Sequence, residues 1–144
     1  MDWKSNILTE SDAIHAVLRQ TKRIAVLGIK PESHAMQPAF YVPKYMADRG
    51  YDIVPVPVYY PDVTEILGKP VFRNLNDIPG AIDMVNVFRR PNDISQHVDE
   101  IIQKAPQSVW FQLGIANDTA AESFAKAGIK VVQDKCLMVE HRYI

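Results

Sequence analysis

Arg23-Ile-Ala-Val-Leu-Gly-Ile-Lys-Pro-Glu-Ser-His-Ala-Met-Gln-Pro-Ala-Phe-Tyr-Val-Pro-Lys-Tyr45 is the stretch on which the chain is organised. An unbroken apolar run from Ile24 to Leu27 stops at Gly28, a polar loop follows, and helical spacing starts at Pro38 or Ala39. Strand, loop and helix in that order are the grammar of a mononucleotide-binding unit. Such a loop turns the helix N-terminus, with its partial positive charge and unpaired N–H groups, toward any anion that docks there. A phosphate-bearing ligand is therefore the first expectation.

Working outward, Ile14, Val17 and Leu18 fall on one helical face upstream, with Thr9 or Ser11 available as cap, so residues 1–20 are expected to supply an outer N-terminal helix. Downstream, Tyr41, Tyr45 and Met46 continue the helix to Gly50, and Pro43 fits only if it lies in the first turn. Ile53 to Val56 reads as a second strand. Residues 57–70, with three prolines, read as irregular chain with a helical turn around Val63 to Leu67, followed by a short strand at Val71-Phe72 and a turn at 75–79. Met84 to Phe88 is the next strand. A helix capped by Asn92 or Asp93 and running to Lys104 would bury Ile94, Val98, Ile101 and Ile102. Val109 to Leu113, a helix from Asp118 to Ala127, and a strand from Ile129 to Val132 complete the alternation, and residues 133–144 form a tail packed on the domain.

This alternation specifies a single α/β domain: a Rossmann-like, doubly wound parallel sheet of about five strands with helices on both faces. In such sheets ligands sit beyond the carboxyl ends of the strands. Here those ends are Gly28, Val56 to Tyr59, Phe88 to Arg90, and Leu113-Gly114.

Composition narrows the function. The 144 residues suit one domain with one core. Sixteen basic and seventeen acidic residues, net −1, argue against a nucleic-acid partner or an anionic membrane surface. Phosphate affinity must then be local. A lone cysteine, Cys136, can form no internal disulfide and no paired zinc clamp, which fits a reducing compartment. The first residues carry no apolar run of signal length, and no stretch nears the roughly 20 apolar residues of a membrane span. A cytoplasmic protein without metal is expected.

The choice of nucleotide turns on what is missing. A dinucleotide fingerprint needs Gly-x-Gly-x-x-Gly and an acid closing the second strand. Positions 28–33 read Gly-Ile-Lys-Pro-Glu-Ser, the second strand closes with Val56-Pro57-Val58-Tyr59, and Asp62 comes too late. No Walker loop is present either.

Ile-Ala-Val-Leu-Gly (24–28), Pro-Ala-Phe-Tyr-Val-Pro-Lys-Tyr-Met (38–46), Gly-Tyr-Asp-Ile-Val-Pro-Val (50–56), Asp-Met-Val-Asn-Val-Phe-Arg-Arg-Pro (83–91), Trp-Phe-Gln-Leu-Gly-Ile (110–115) and Asp-Lys-Cys-Leu-Met-Val-Glu-His (134–141) together resemble a known family. It is that of the small stand-alone coenzyme A-binding proteins, similar to the nucleotide-binding domain of the succinyl-CoA synthetase α subunit. The resemblance spans roughly residues 20–142. It implies coenzyme A or acyl-CoA as ligand. Gly28, Ile29 and Lys30 would meet the pyrophosphate, with Gln37, Pro38 and Ala39 opening the helix beneath it. Val56, Pro57 and Val58 would flank the adenosine, Val87, Phe88, Arg89 and Arg90 the pantetheine side, and Leu113-Gly114 lie on the same rim. The family places a basic residue soon after the second strand. Tyr59-Tyr60 stand there, leaving Lys30, Lys69 or Arg73 to take the ribose 3′-phosphate.

Each residue also has a plainer explanation. Gly28 can serve strand-end geometry alone. Lys30 can be a solvated loop cation, and Arg89-Arg90 a surface ion pair. Phe88 can close the core, and adjacency of Glu32, Ser33 and His34 is not triad geometry. Cys136 beside Lys135 is either a small buried hydrophobe or a thiolate able to exchange with a ligand disulfide. No catalytic residue is assigned. The α subunit it resembles works through a phosphohistidine in a further domain, for which 144 residues leave no room. The expectation is thus a non-catalytic carrier, sensor or regulator. The alternatives are an NAD(P)-binding oxidoreductase-like domain and an interaction module that has lost its ligand. The first helix and the tail from Met138 offer apolar surface for a homodimer.

Overall fold

The computed structural model describes residues 2–144. Five strands form one parallel sheet: β1 (Arg23–Leu27), β2 (Asp52–Val56), β5 (Met84–Val87), β6 (Ser108–Phe111) and β7 (Lys130–Val132), in the order β2-β1-β5-β6-β7. The chain steps from β1 outward to β2, then returns across β1 to β5. The sheet order therefore reverses at β1 and β5, where a cleft opens beyond the strand ends.

Strand side chains alternate between two cores. Ala25, Leu27, Val85, Val87, Val109 and Phe111 face one side, under α3 (Val98–Lys104) and α4 (Asp118–Lys126), as Ile101 and Phe124 show. Ile24, Val26, Met84 and Trp110 face the other, under α1 (Ser11–Gln20) and α2 (Pro38–Asp48). Cover on both faces is why β1 reads as a continuous apolar run and not an alternating one. Pro55 is tolerated because β2 lies at the sheet edge. At the opposite edge, Ile7 bridges Val131 in parallel, and the Leu8 amide donates to the Val131 carbonyl at 2.8 Å.

Several local expectations are corrected. The stretch expected to turn helically at Val63 to Leu67 is a hairpin of β3 (Glu65–Ile66) and β4 (Lys69–Pro70), its turn formed by Leu67 and Gly68 with φ of 54° and 72°. Leu67's amide is held by the Glu32 carboxylate at 2.8 Å. Val71-Phe72 forms no strand: the Phe72 amide donates to the Pro55 carbonyl but no ladder follows. The helix expected from Asn92 to Lys104 divides into a 3-10 segment, Pro91–His97, and α3, with Arg90 and His97 as caps in place of Asn92 or Asp93. Neither Thr9 nor Ser11 caps α1. Its N-cap is Glu10, without a side-chain hydrogen bond.

Pro43 lies inside α2, past the first turn. A residue there would normally donate to the carbonyl of Ala39, which proline cannot do. The Lys30 amide, from the loop after β1, donates to that carbonyl at 3.1 Å. The defect in the helix thus becomes the anchor of the loop.

The tail turns into α5 (Leu137–His141), which packs on α1 and α2. Tyr45's hydroxyl meets His141 Nδ1 at 3.0 Å, and His15 Nε2 meets Glu140 at 3.1 Å. The apolar stripe of α1 (Ile14, Val17, Leu18) is buried within the chain, so it offers no face to a second copy.

Candidate functional site

The carboxyl ends of β1, β5 and β6 and the start of α2 enclose a hollow of about 400 Å³, lined by Lys30 and residues 37–39, 88–91 and 112–115. Of the residues singled out from sequence, Lys30, Gln37, Pro38, Ala39, Phe88, Arg89, Arg90, Leu113 and Gly114 meet in this one cleft. Pro91, Gln112 and Ile115 join them.

Gly28 does not itself line the hollow but lies against Phe88, which does. Its φ is +90°, and a Cβ built there would overlap the Phe88 carbonyl oxygen. Only glycine lets the ends of β1 and β5 approach so closely. The amide of Gly28 is already committed to the Val56 carbonyl at 2.9 Å, as that of Lys30 is to Ala39. Pro38 at the first position of α2 has no N–H, and among the described residues the Ala39 amide has no hydrogen-bond acceptor. The donors left for this cleft are therefore those of the start of α2 and of side chains. Lys30 Nζ donates to Gln37 Oε1, which holds both over the cleft.

Arg89 is the most buried cation lining the cleft. Its side chain is only 7% exposed, whereas that of Arg90 is 83% exposed. Arg89 Nε donates to His97 Nε2 at 3.1 Å, and its Nη1 lies 3.5 Å from the Tyr59 hydroxyl. The nearest carboxylate, Asp93, is 3.9 Å away and lies closer to Arg90, at 3.3 Å. The two guanidiniums beside Tyr59, Arg89 foremost, hold its phenol below the ordinary value. Behind His97, Glu100 accepts from His97 Nδ1 at 2.9 Å and from the Leu75 amide at 2.9 Å. Burial favours protonation of Glu100, but the hydrogen bonds from His97 and Leu75, together with the electrostatic pull of His97, outweigh it and hold the carboxyl below its usual range.

Other residues singled out lie elsewhere. Ile29, Val56 and Val87 are at most 1% exposed and belong to the two cores, and Pro57 is buried, so they shape the strand ends without lining the cleft. Val58 packs on the core under α3 and α4. Lys69 pairs with Asp52, the first residue of β2, at the end of the sheet away from the cleft. Arg73 is consumed by the carbonyls of Tyr59, Tyr60 and Val63. His34 meets Ser33 Oγ at 3.0 Å and the Tyr60 hydroxyl at 3.4 Å, outside the cleft. Cys136 is half-buried against the core under α1 and α2.

Gln112 escaped the sequence reading because the apolar run from Val109 to Leu113 passed over it. It is 4% exposed, and its Oε1 accepts from the amide of Leu137 at 3.3 Å, which joins the cleft wall to α5. A polar residue inside a buried strand run was the available signal. Among the described residues, no group of three or more His, Cys, Asp or Glu could hold a metal ion. No helix there is long and apolar enough to cross a membrane.

Comparison with known proteins agrees with this architecture. A family model described as CoA binding domain matches residues 22–142. The uncharacterized protein YneT of Bacillus subtilis (strain 168) is 34% identical over 128 residues, spanning 89% of this chain and 91% of YneT. Among solved structures, cell-free ID.343 from Thermus thermophilus superposes with a TM-score of 0.85 at 36% identity, covering 94% of this chain and 98% of that one. A hypothetical protein from Pyrococcus horikoshii OT3 does so at 0.83 and 33% identity, covering 96% and 93%. The chain belongs to the CoA binding domain family.

Proposed function

We propose that this protein binds coenzyme A or an acyl form of it in the cleft beyond β1, β5 and β6, as a carrier, sensor or regulator and not as a catalyst. The observation that carries this reading is the convergence of Lys30, Arg89, Arg90 and the start of α2 on one hollow. A ligand with a pyrophosphate needs such a set of donors, and Phe88, Pro91, Leu113 and Ile115 supply an apolar wall for a pantetheine chain. A binding role is supported by the histidines. His15, His34, His97 and His141 each hold a side-chain hydrogen bond, and none of them lines the cleft.

Parallel calorimetric titrations with coenzyme A and NADH test the proposal. Coenzyme A is expected to bind and NADH to bind more weakly or not at all. Tighter NADH binding would overturn the choice of ligand. Absence of heat with either would favour an interaction module. A mass spectrum of ligand carried through purification gives an independent answer.

A further inference from the structure

We propose that His97 is the positioning residue for the Arg89 guanidinium, and that it holds Arg89 toward the cleft only while its imidazole is neutral and protonated on Nδ1. The inference rests on the cleft being the ligand site. A guanidinium carries donors only, so the 3.1 Å contact from Arg89 Nε requires a lone pair on His97 Nε2. The ring hydrogen of the neutral imidazole then sits on Nδ1, where Glu100 Oε1 accepts it at 2.9 Å. Glu100 is fixed in turn by the Leu75 amide through its other oxygen. A directional chain thus runs from the main chain of the Leu75–Asp77 turn through Glu100 and His97 to Arg89.

Nothing else orients Arg89 as firmly. Tyr59 at 3.5 Å and Asp93 at 3.9 Å are too distant for well-formed hydrogen bonds. With Nε occupied by His97, the two terminal nitrogens retain hydrogens for an anion in the cleft that Arg89 lines. The groups facing His97 are therefore Arg89 on one side, with Tyr59 and Asp93 beyond it, and Glu100 on the other. A second proton on the ring would enter at Nε2. It sets N–H against N–H and cation against cation, while the bond to Glu100 persists. The proton acts on the Arg89 side alone. Anion affinity falls as the ring takes up this second proton.

The test compares the protein with its His97→Gln variant. Glutamine can accept from Arg89 with Oε1 and donate to Glu100 with Nε2, and it does not titrate. Coenzyme A affinity is measured for both between about pH 5.5 and 8. Titration of the ligand's own phosphate is common to the two proteins. The wild type is expected to lose about tenfold more affinity over this range than the variant, the worth of one hydrogen bond to a charged group. Parallel pH profiles would overturn the inference. Nitrogen-15 NMR of the ligand-free wild type provides a second measurement that needs neither variant nor ligand. A neutral His97 protonated on Nδ1 is expected, and an Nε2-protonated ring would overturn the inference. If the wild type takes up no coenzyme A at pH 8, the ligand reading fails, and the ring tautomer still decides whether His97 holds Arg89.

Discussion

The amide of Lys30 donates to the carbonyl of Ala39 at 3.1 Å, in the place that Pro43 leaves vacant one turn further along α2. The loop after β1 is thereby fastened to the helix whose start forms the cleft wall. Hydrogen exchange should show the Lys30 amide protected although it lies in a loop. Pro43→Ala supplies a competing N–H. Exchange at Lys30 should then accelerate roughly fivefold, as expected for loss of a bond worth about 1 kcal/mol. An unchanged rate at Lys30 would mean that the helix defect does not control the loop.

Gly28 and Gly50 both have φ above +90° or equal to it, yet only Gly28 faces an obstacle, the Phe88 carbonyl. Gly50→Ala should cost about 1 kcal/mol from backbone strain alone. Gly28→Ala adds displacement of a strand end and should reach about 3 kcal/mol or more, lowering the melting temperature by about 10 °C. Equal losses at the two positions, read by calorimetric melting, would refute the close approach of β1 and β5.

Arg89 and Arg90 are neighbours with different surroundings. Arg89→Ala removes a nearly buried guanidinium from the cleft and should weaken coenzyme A binding roughly 10- to 100-fold. Arg90→Ala removes an exposed side chain whose partner is Asp93, and should cost less than about threefold. Titration calorimetry of the two variants decides. The opposite ranking would remove Arg89 from its assigned place.

Glu100 links stability to pH. Its folded-state pKa lies below the ordinary 4.5, so the folded state binds fewer protons than the unfolded chain wherever the two values straddle the pH. The stabilisation is fully present above 4.5 and is lost as pH falls through the depressed folded value. Denaturant melts from pH 7 to 3 should show Glu100→Gln losing less stability on acidification than the wild type. Identical pH slopes would show that Glu100 makes no such contribution.

Much of the molecule was legible in its sequence because the strands are covered on both faces. Apolar runs at Ile24 to Leu27 and Met84 to Phe88 mark central parallel strands within a residue of their ends. Periodicity failed where backbone chemistry outweighed it. Leu67-Gly68 turn the chain in a left-handed conformation, so the apolar residues Val63, Ile66 and Leu67 do not form a helical turn. Pro91 begins a 3-10 segment, and α3 starts only at Val98, although the apolar spacing from Ile94 to Ile102 is helical throughout. Gln112, read as part of a buried strand, turned out to line the cleft.

By itself, the sequence determined the layered α/β architecture, because this follows from hydrophobic period, while its motifs carried the resemblance to the family in which the comparisons place the chain. Tertiary structure decided which of the rim residues share one cleft. Strand order brings the ends of β1, β5 and β6 together, whereas Val56 and Val87 turn into the core and Lys69 is drawn to Asp52 at the other end of the sheet. It also decided that Arg89, His97 and Glu100 form one chain of hydrogen bonds. Their spacing follows from the local break between the 3-10 segment and α3, which side-chain type alone does not encode.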